Sequence, residues 1–289
     1  MSTKKNYREW LLVVGLLLLT GCSINQLTVR ASLPLVEGGL VALQSEPDLM
    51  LAEAAFAPNI ELLEGMIVND PRNPVLRSYM IQAYNGYAFS FVEDNDRERA
   101  SRFYYRGVKH GFAAFKHQGL DLEKLTVDEI QSAVAGKGLD SVPLMFWMAS
   151  CWAKWIDLSR DNPVAIAQLS KASTLMDRVI ELDESYFYGG PHWFFGVFYG
   201  GRAPMFGGDF DKAKQHFDKG REITQNKLLI IDLLQAQFLA RQMLDQQMFH
   251  DKLTAIINAP NGLYPEVELL NRVAKKKAGI LLKLENKWF

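Results

Sequence analysis

The chain has 289 residues, of which 48% are apolar and 22% charged, and its 32 basic and 33 acidic residues give a formal net charge of −1. This composition is typical of a folded globular protein and argues against a disordered chain, a coiled coil or a polytopic membrane protein. A surface that binds nucleic acid requires a basic excess on one face, so the balanced charge also argues against nucleic acid as a partner.

The first 21 residues have the organisation of a bacterial lipoprotein signal peptide. A basic start precedes an apolar run over residues 10–19, which is about half of the ~20 residues that a membrane-spanning helix needs. The run ends in Leu19-Thr20-Gly21-Cys22, which resembles the lipobox, in which the cysteine is acylated and becomes the first residue of the mature protein. We therefore predict a signal peptide over residues 1–21, lipidation at Cys22 and a lipidated tether over residues 22–35.

The predicted location is the periplasmic face of a bacterial membrane. Two or three acyl chains hold a protein there almost permanently, because each buried methylene contributes about 0.8 kcal/mol. Ser23 follows the predicted lipidated cysteine, and by resemblance to bacterial lipoprotein sorting a residue other than aspartate favours the inner leaflet of the outer membrane. The other cysteine, Cys151, lies in an apolar stretch that is typical of a buried, inert thiol.

From residue 36 onwards the sequence has the start signals, stop signals and periodicity of helices. Thr126-Val127-Asp128-Glu129 is a capping-box pattern that marks a helix start, and the segment 259–262 contains proline and glycine that mark a helix end. Between such marks apolar residues recur every three or four positions, and sustained alternation with a period of two is absent. We predict one all-α domain over residues 36–289 with about ten to thirteen helices.

Pairs of these helices fit the tetratricopeptide pattern, in which small residues let two helices cross closely and large residues fill the space between them. One copy fits without a gap, and three weaker copies are also present. Such hairpins stack into a curved superhelix with a concave binding face, so we predict a stack of about four degenerate tetratricopeptide-like hairpins. The best copy consists of Tyr84, Tyr87, Ala88 and Phe91 followed by Ala100, Tyr104 and Gly107.

The segment 186–206 is rich in aromatic residues and glycine. A helix that begins near residue 191 would be apolar almost all round, which is typical of a helix in the middle of a stack. Its aromatic side chains therefore either pack in the core or form the wall of a ligand cavity. The candidate ligand-binding residues are Tyr188, His192, Trp193, Phe195, Tyr199, Arg202, Met205 and Phe206.

Two polar members of this set have alternative interpretations. His192 has no second histidine at a metal-ligand spacing, so it is interpreted as a hydrogen-bonded structural residue rather than a metal ligand. Arg202 either holds the carboxylate of an apolar ligand or caps a helix end. Phosphate-binding loops, nucleophile elbows and zinc-protease motifs are missing from the sequence, which predicts a protein without catalytic activity, cofactor or metal.

Four stretches of the sequence carry a resemblance to a known family. They are residues 84–100, which include Tyr84-Asn85-Gly86-Tyr87-Ala88-Phe89-Ser90-Phe91, residues 152–161, residues 186–192 and residues 202–209. Together they resemble the tetratricopeptide lipoproteins associated with tripartite ATP-independent periplasmic (TRAP) transporters, known as TatT or T components. The resemblance extends over essentially the whole mature chain, and the lipobox agrees with it independently.

This resemblance implies a homotrimer, docking of the periplasmic solute-binding subunit of the transporter, and a cleft or pore for an apolar ligand such as a fatty acid. The predicted function is a lipid-anchored periplasmic scaffold that docks this subunit of a TRAP-type transporter and binds or conducts a fatty-acid-like ligand. The alternative is a tetratricopeptide lipoprotein that serves outer-membrane or cell-wall assembly and holds peptide segments in its concave face.

Overall fold

A computed structural model of the protein describes residues 21–289, with side chains described from residue 24 onwards. The predicted signal peptide therefore lies outside the described residues except for Gly21, and the side chain of Cys22, the predicted lipidation site, lies outside them as well. The first described helix, α1 (Gly21–Gln44), contains the segment 22–35 that the sequence predicted as a tether. This segment is thus helical and continuous with the residues that follow it.

The described chain is all-α, as the sequence predicted, and no strand occurs between residues 21 and 289. Short 3₁₀ segments connect several helices, and two helical runs contain a π-helical segment, at Ala88–Val92 and at Gln235–Ala240. Within residues 21–289, no helix is both long enough and apolar enough to cross a membrane. The helices after α1 are α2 (Leu49–Asn69), α3 (Pro74–Tyr87), α4 (Arg97–His117), α5 (Val127–Ala135), α6 (Val142–Leu158), α7 (Pro163–Ile166), α8 (Leu169–Leu182), α9 (Tyr186–Gly200), α10 (Phe210–Ile223), α11 (Ile230–Leu234), α12 (Arg241–Met243), α13 (Gln246–Asn258), α14 (Glu268–Leu282) and α15 (Glu285–Trp288).

Side-chain caps explain why several helices begin where they do. The predicted capping box is present at the start of α5, where the Thr126 hydroxyl accepts from the Glu129 backbone N–H at 3.3 Å. The Glu129 carboxylate in turn accepts from the Thr126 backbone N–H at 2.8 Å. Because both backbone donors would otherwise lack a partner, this reciprocal pair fixes the first turn of the helix.

Consecutive helices pack as hairpins, and the hairpins stack. The pairs are α3 with α4, α6 with α8, α9 with α10, and the α11–α12 run with α13, which correspond to the four predicted hairpins. Close crossings depend on small residues: a Cβ on Gly107 would lie 2.7 Å from Cys151 Sγ, and one on Gly196 would lie 2.7 Å from the Phe217 ring. Any larger residue at these two positions would push the neighbouring helix away.

The last long helix, α14, returns to the beginning of the fold. It packs against α11 and α13, and also against α1 and α2. A small apolar cluster joins these distant elements, and it contains Phe56 of α2, Phe91 of the first π segment and Val273 of α14. The C-terminal part of the chain therefore closes the stack against its N-terminal part.

A buried ionic network strengthens the same junction. The Glu93 carboxylate, at the end of the first π segment, accepts from Lys154 Nζ of α6 at 2.8 Å and from Lys277 Nζ of α14 at 2.9 Å. The Tyr104 hydroxyl of α4 donates to the same carboxylate at 2.7 Å. Glu93 and Lys277 are 184 positions apart in the sequence. The contacts of the Glu93 carboxylate therefore connect the first π segment with α4, α6 and α14.

Candidate functional site

A cavity of about 790 Å³ lies between the hairpins, with walls from α1, α3, α6, α9, α11 and α14. This volume falls within the range of about 300–1,000 Å³ that is typical of small-molecule sites. The wall is mainly apolar, and much of it consists of aromatic rings. These are Phe56, Phe89, Trp147, Phe187, Trp193, Phe194, Phe198, Phe206 and Phe238.

Unusual backbone geometry occurs at several places on or next to this wall. Phe89 and Phe238 reach the cavity from the two π-helical segments. In addition, Phe187 and Tyr188 have φ angles of 47° and 60°, in the left-handed region that side chains with a Cβ rarely adopt. Single π turns and such backbone strain occur preferentially at functional sites, so these observations favour a ligand-binding role for the cavity.

The strained turn determines the position of one wall residue. Phe187 contacts the Trp147 ring of α6 with its centroid 4.6 Å away in an edge-to-face arrangement. Gly189, with a φ of 76°, completes the left-handed turn, after which α9 continues with regular geometry. The kink therefore holds the Phe187 ring against α6 at the cavity wall.

The structure divides the eight predicted ligand-binding residues into two groups. Trp193, Arg202 and Phe206 line the cavity. Tyr188, His192, Phe195, Tyr199 and Met205 lie outside the lining, and Met205 is 82% exposed to solvent. The ligand-binding role of the eight residues stays a prediction, but only the first group is placed around the cavity.

The two faces of α9 explain this division. Residues 193, 194, 197 and 198 face the cavity, whereas His192, Phe195 and Tyr199 form the opposite stripe, which packs against His216 of α10. One face of the helix therefore packs in the core and the other lines the cavity. Phe194, Val197 and Phe198 are wall residues that the sequence analysis missed, because helical periodicity shows which residues share a face but not what that face contacts.

Arg202 has an incomplete set of hydrogen bonds. Its Nε donates to the Phe198 carbonyl at 2.9 Å, which caps the end of α9, and its guanidinium lies 3.9 Å from the Phe198 ring centroid. Asp209, on the other side of the glycine-rich turn, caps α10 through the Lys212 backbone N–H instead of pairing with Arg202. Within residues 24–289, no carboxylate forms an ion pair with this guanidinium, and burial lowers the pKa of Arg202.

Two buried donors on the cavity wall lack an acceptor. Arg202 Nη2 and Trp193 Nε1 are both shielded from solvent and have no hydrogen-bond partner among the described residues. An unsatisfied buried donor costs about 1–3 kcal/mol, and more for a charged group. Both residues line the same cavity, so their unpaired donors are candidates for contact with an acceptor group of a ligand, and a carboxylate would also compensate the charge of Arg202.

His192 lies in a hydrogen-bonded cluster outside the cavity. Its Nε2 lies 3.2 Å from Glu184 Oε2 and its Nδ1 lies 3.1 Å from Nδ1 of His216. If Nε2–H donates to the carboxylate, His192 Nδ1 is the acceptor and His216 Nδ1–H is the donor. Across the described part of the chain, no group of three or more His, Cys, Asp and Glu side chains is arranged to hold a metal ion.

We expect the free energy of unfolding to decrease as the pH falls from about 6.5 to about 4, in part because of His216. Burial and the neighbouring His192 lower the pKa of His216 to about 4, below its ordinary value of 6.5. The unfolded chain therefore binds a proton in this range that the folded protein does not, so the stabilisation is complete above pH 6.5 and is lost below it. Urea unfolding at pH 7 and pH 4 gives the decrease in the free energy of unfolding for the native protein and for His216→Phe. We expect this decrease to be larger in the native protein, by an amount on the order of 2 kcal/mol. Equal losses in the two proteins would contradict the assignment.

The fold and the cavity define a protein built of stacked helical hairpins around a large apolar site. The sequence model of the TRAP transporter T-component family matches residues 45–289, and the chain therefore belongs to this family. This confirms the family resemblance found in the sequence. No significant match was found among curated proteins. Family membership gives the chain a role associated with TRAP transporters, and the family is one of transporter components rather than of enzymes.

Proposed function

We propose that this protein is a lipid-anchored periplasmic scaffold that docks the solute-binding subunit of a TRAP transporter and binds a fatty-acid-like ligand in its cavity. The observation that carries the ligand is the aromatic cavity of about 790 Å³ with two unpaired buried donors on its wall. The membership in the TRAP transporter T-component family supports the docking. The lipobox that ends at Cys22 supports the anchor.

The cavity has separate places for the two ends of an amphiphilic ligand. The carboxylate accepts from Arg202 Nη2 and Trp193 Nε1, which the protein itself leaves unpaired. The hydrocarbon chain lies along the rings of the wall, such as Phe89 and Trp147. Each methylene that leaves water contributes about 0.8 kcal/mol, so a long chain gives most of the binding free energy and the carboxylate gives the orientation.

Filling the cavity should weaken ligand binding strongly without unfolding the protein. Ala153 of α6 lines the cavity and is partly exposed, so an Ala153→Trp side chain extends into open space. We expect a loss of at least about tenfold in affinity for a long-chain fatty acid, measured by displacement of a fluorescent fatty acid, because the new ring occupies the volume of several methylenes. Truncation by Trp193→Ala should also weaken binding, whereas Ala135→Trp at the exposed end of α5 is the matched control. Unchanged affinity in folded Ala153→Trp would refute the cavity as the ligand site.

Docking is tested with the solute-binding subunit of the TRAP transporter from the same organism. The purified proteins should co-elute on size exclusion as a stoichiometric complex, and Ala153→Trp should dock as well as the native protein if docking uses the outer surface. Separate elution at micromolar concentration would contradict the docking proposal while leaving the ligand site untouched.

The homotrimer is supported by exposed apolar stripes on α1 and α2. On α1 the exposed apolar residues Ile24, Leu27 and Leu35 follow helical spacing, and Leu35 is 80% exposed. On α2, Leu51 and Leu62 are both 58% exposed, and they lie about three helical turns apart on one face. Exposed apolar residues that recur after whole helical turns are typical of helix faces that pack against another helix, and we propose that they form the subunit contact.

Charges within this stripe should dissociate the oligomer. The double variant Leu27→Glu with Leu35→Glu places two carboxylates on the proposed contact. We expect light scattering to give the molar mass of a monomer for this variant and that of a trimer for the native protein. Asn25→Glu, at an exposed polar position of the same helix, is the control and should leave the mass unchanged. A native protein that is monomeric at tens of micromolar concentration would overturn the trimer.

A further inference from the structure

A second pocket, of about 280 Å³, lies between α2, α3 and α4, away from the aromatic cavity. Its lining consists almost entirely of charged groups, namely Glu64, Arg77, Arg106, Lys109 and His110. Three of these side chains are cations and one is an anion. With His110 neutral, the pocket therefore has a formal charge of about +2 by this count.

Arg77 is a buried guanidinium without a carboxylate partner. The residue is only 7% exposed, and its Nε donates to the Pro71 carbonyl at 2.8 Å. Its Nη1 donates to His110 Nδ1 at 3.3 Å. Among residues 24–289 no Asp or Glu forms an ion pair with it. Buried charges are normally paired, so this arginine lacks the compensation that its burial requires.

The single acid of the pocket is already engaged. Glu64 Oε1 accepts from the Tyr84 hydroxyl at 2.7 Å, from Arg106 Nη2 at 3.2 Å and from His110 Nε2 at 3.2 Å. These contacts hold the carboxylate on the α4 side of the pocket. Glu64 therefore compensates Arg106 in part, and leaves Arg77 and Lys109 without a direct counter-ion.

His110 is neutral in this arrangement. Arginine can only donate, so His110 Nδ1 must accept from Arg77, and its proton lies on Nε2, which donates to Glu64. Burial lowers the pKa of His110, in agreement with a neutral ring. The Lys109 ammonium lies 5.6 Å from the Tyr105 ring centroid and has no ion pair within the described chain.

We propose that this pocket binds a phosphate group, with Arg77, Arg106 and Lys109 as its ligands. Two guanidinium groups match the oxygens of a tetrahedral oxyanion through parallel N–H donors, and an ammonium adds a point charge. Near neutral pH a phosphodiester carries one negative charge, and inorganic phosphate or a phosphate monoester carries between one and two, so either kind of phosphate compensates part or most of the positive excess of the pocket. The site is distinct from the aromatic cavity and shares none of its lining residues.

The position of the pocket indicates a membrane phospholipid as one source of the phosphate. Arg30 of α1 pairs with Asp70 at 2.8 Å, and Asp70 contacts Asn73, the cap of α3. Arg77 follows one turn later, so the pocket lies near the level of Arg30. Residue 22 is eight residues before Arg30, about 12 Å along a helix. This step rests on the proposed lipid anchor at Cys22, whereas phosphate binding itself does not.

The test separates the pocket from the anchor by using the protein with Cys22→Ser, which removes the predicted acylation site. Calorimetric titration with inorganic phosphate, at constant ionic strength set with chloride, should show saturable binding to one site. We expect Arg77→Met and Lys109→Met each to weaken this binding by about tenfold, because each removes one charge-assisted contact. The Lys109 ammonium contacts the Tyr105 ring and forms no hydrogen bond within the described chain, so we expect Lys109→Met to keep the fold even if Arg77→Met loses stability. Lys116→Met, at an exposed lysine further along α4, is the control and should bind as the parent does.

A second arm identifies the source of the phosphate. The Cys22→Ser protein is mixed with phosphatidylglycerol vesicles and separated by flotation. The pocket binds a lipid headgroup if this protein floats with the vesicles, if the added substitution Lys109→Met abolishes flotation, and if Lys116→Met does not. Phosphate binding without vesicle binding would assign it to a free phosphate. Absence of saturable phosphate binding, or equal binding by the Lys109→Met and parent proteins, would overturn the proposal and would leave the ligand and docking functions unaffected.

Discussion

Replacing Arg202 with methionine is expected to lower the affinity for a long-chain carboxylate by about 10–100-fold, with little change for the alcohol of the same chain length. The reason is the geometry at the end of α9, where Arg202 Nη2 is buried on the cavity wall without a partner. A charge-assisted hydrogen bond contributes about 1.5–3 kcal/mol, and only the carboxylate provides the charge. Methionine keeps the length of the side chain, so the volume of the cavity changes little. Competition assays with the acid and the alcohol give the two affinities directly.

The matched control is Arg160→Met. Arg160 also lines the cavity, but its guanidinium already pairs with Asp157 of α6, with Nε at 2.9 Å from the carboxylate. Its removal should therefore leave the preference for acid over alcohol intact. If Arg202→Met weakened the acid and the alcohol equally, Arg202 would act through the shape of the wall, and the carboxylate would bind elsewhere.

Glu93→Ala is expected to destabilise the protein by about 3–5 kcal/mol, the largest single effect on stability that the structure suggests. The substitution leaves the ammonium groups of Lys154 and Lys277 buried around a site that has lost its shared carboxylate. It also removes the acceptor of the Tyr104 hydroxyl. Urea unfolding monitored by circular dichroism gives the free energy, and Glu98→Ala, at a surface pair with Arg102, is the control with an expected loss below about 1 kcal/mol.

Glu93 also makes the free energy of unfolding depend on pH in acid. Burial alone would raise the pKa of Glu93, but the charges of Lys154 and Lys277 outweigh it and lower this pKa to about 2. The carboxyl group of the unfolded chain has an ordinary pKa of about 4.5, so Glu93 stabilises the native protein fully above that pH. This contribution is lost as the pH falls from about 4.5 towards 2. If the free energy of unfolding of the native protein stayed constant between pH 4.5 and pH 2, the Glu93 carboxyl group would not be ionised in the network as described.

Local sequence signals predicted the parts of the structure that depend on neighbouring residues. The capping box at Thr126 and the small residues Gly107 and Gly196 have the roles that their patterns indicate, because caps and close helix crossings act over a few residues. The all-α fold and the family were accessible for the same reason. The aromatic segment also indicated that α9 is apolar on both faces.

The composition of the cavity wall depends on contacts that no local pattern records. Trp147, Phe89 and Phe238 come from three different hairpins, and the two π segments that present Phe89 and Phe238 have no clear sequence signal. The neighbour of His192 is His216, which lies on the next helix. The spacing of histidines within one helix therefore does not reveal this pair. Tertiary packing decides both, and packing also places Arg77 in a pocket whose one carboxylate, that of Glu64, pairs with Arg106 and not with Arg77.

The return of α14 to α1 and α2 changes the way in which this stack should come apart. In an open array of hairpins each unit touches only its neighbours, so the terminal units fray first and unfolding spreads inwards. Here the first and last units hold each other through Phe91, Val273 and the contact of Lys277 with Glu93. These contacts close the part of the chain from α2 to α14 into a ring, and this part should unfold in one cooperative step. Because closure joins residues far apart in the chain, it also makes folding slow, since the ring forms only after most of the chain has been ordered.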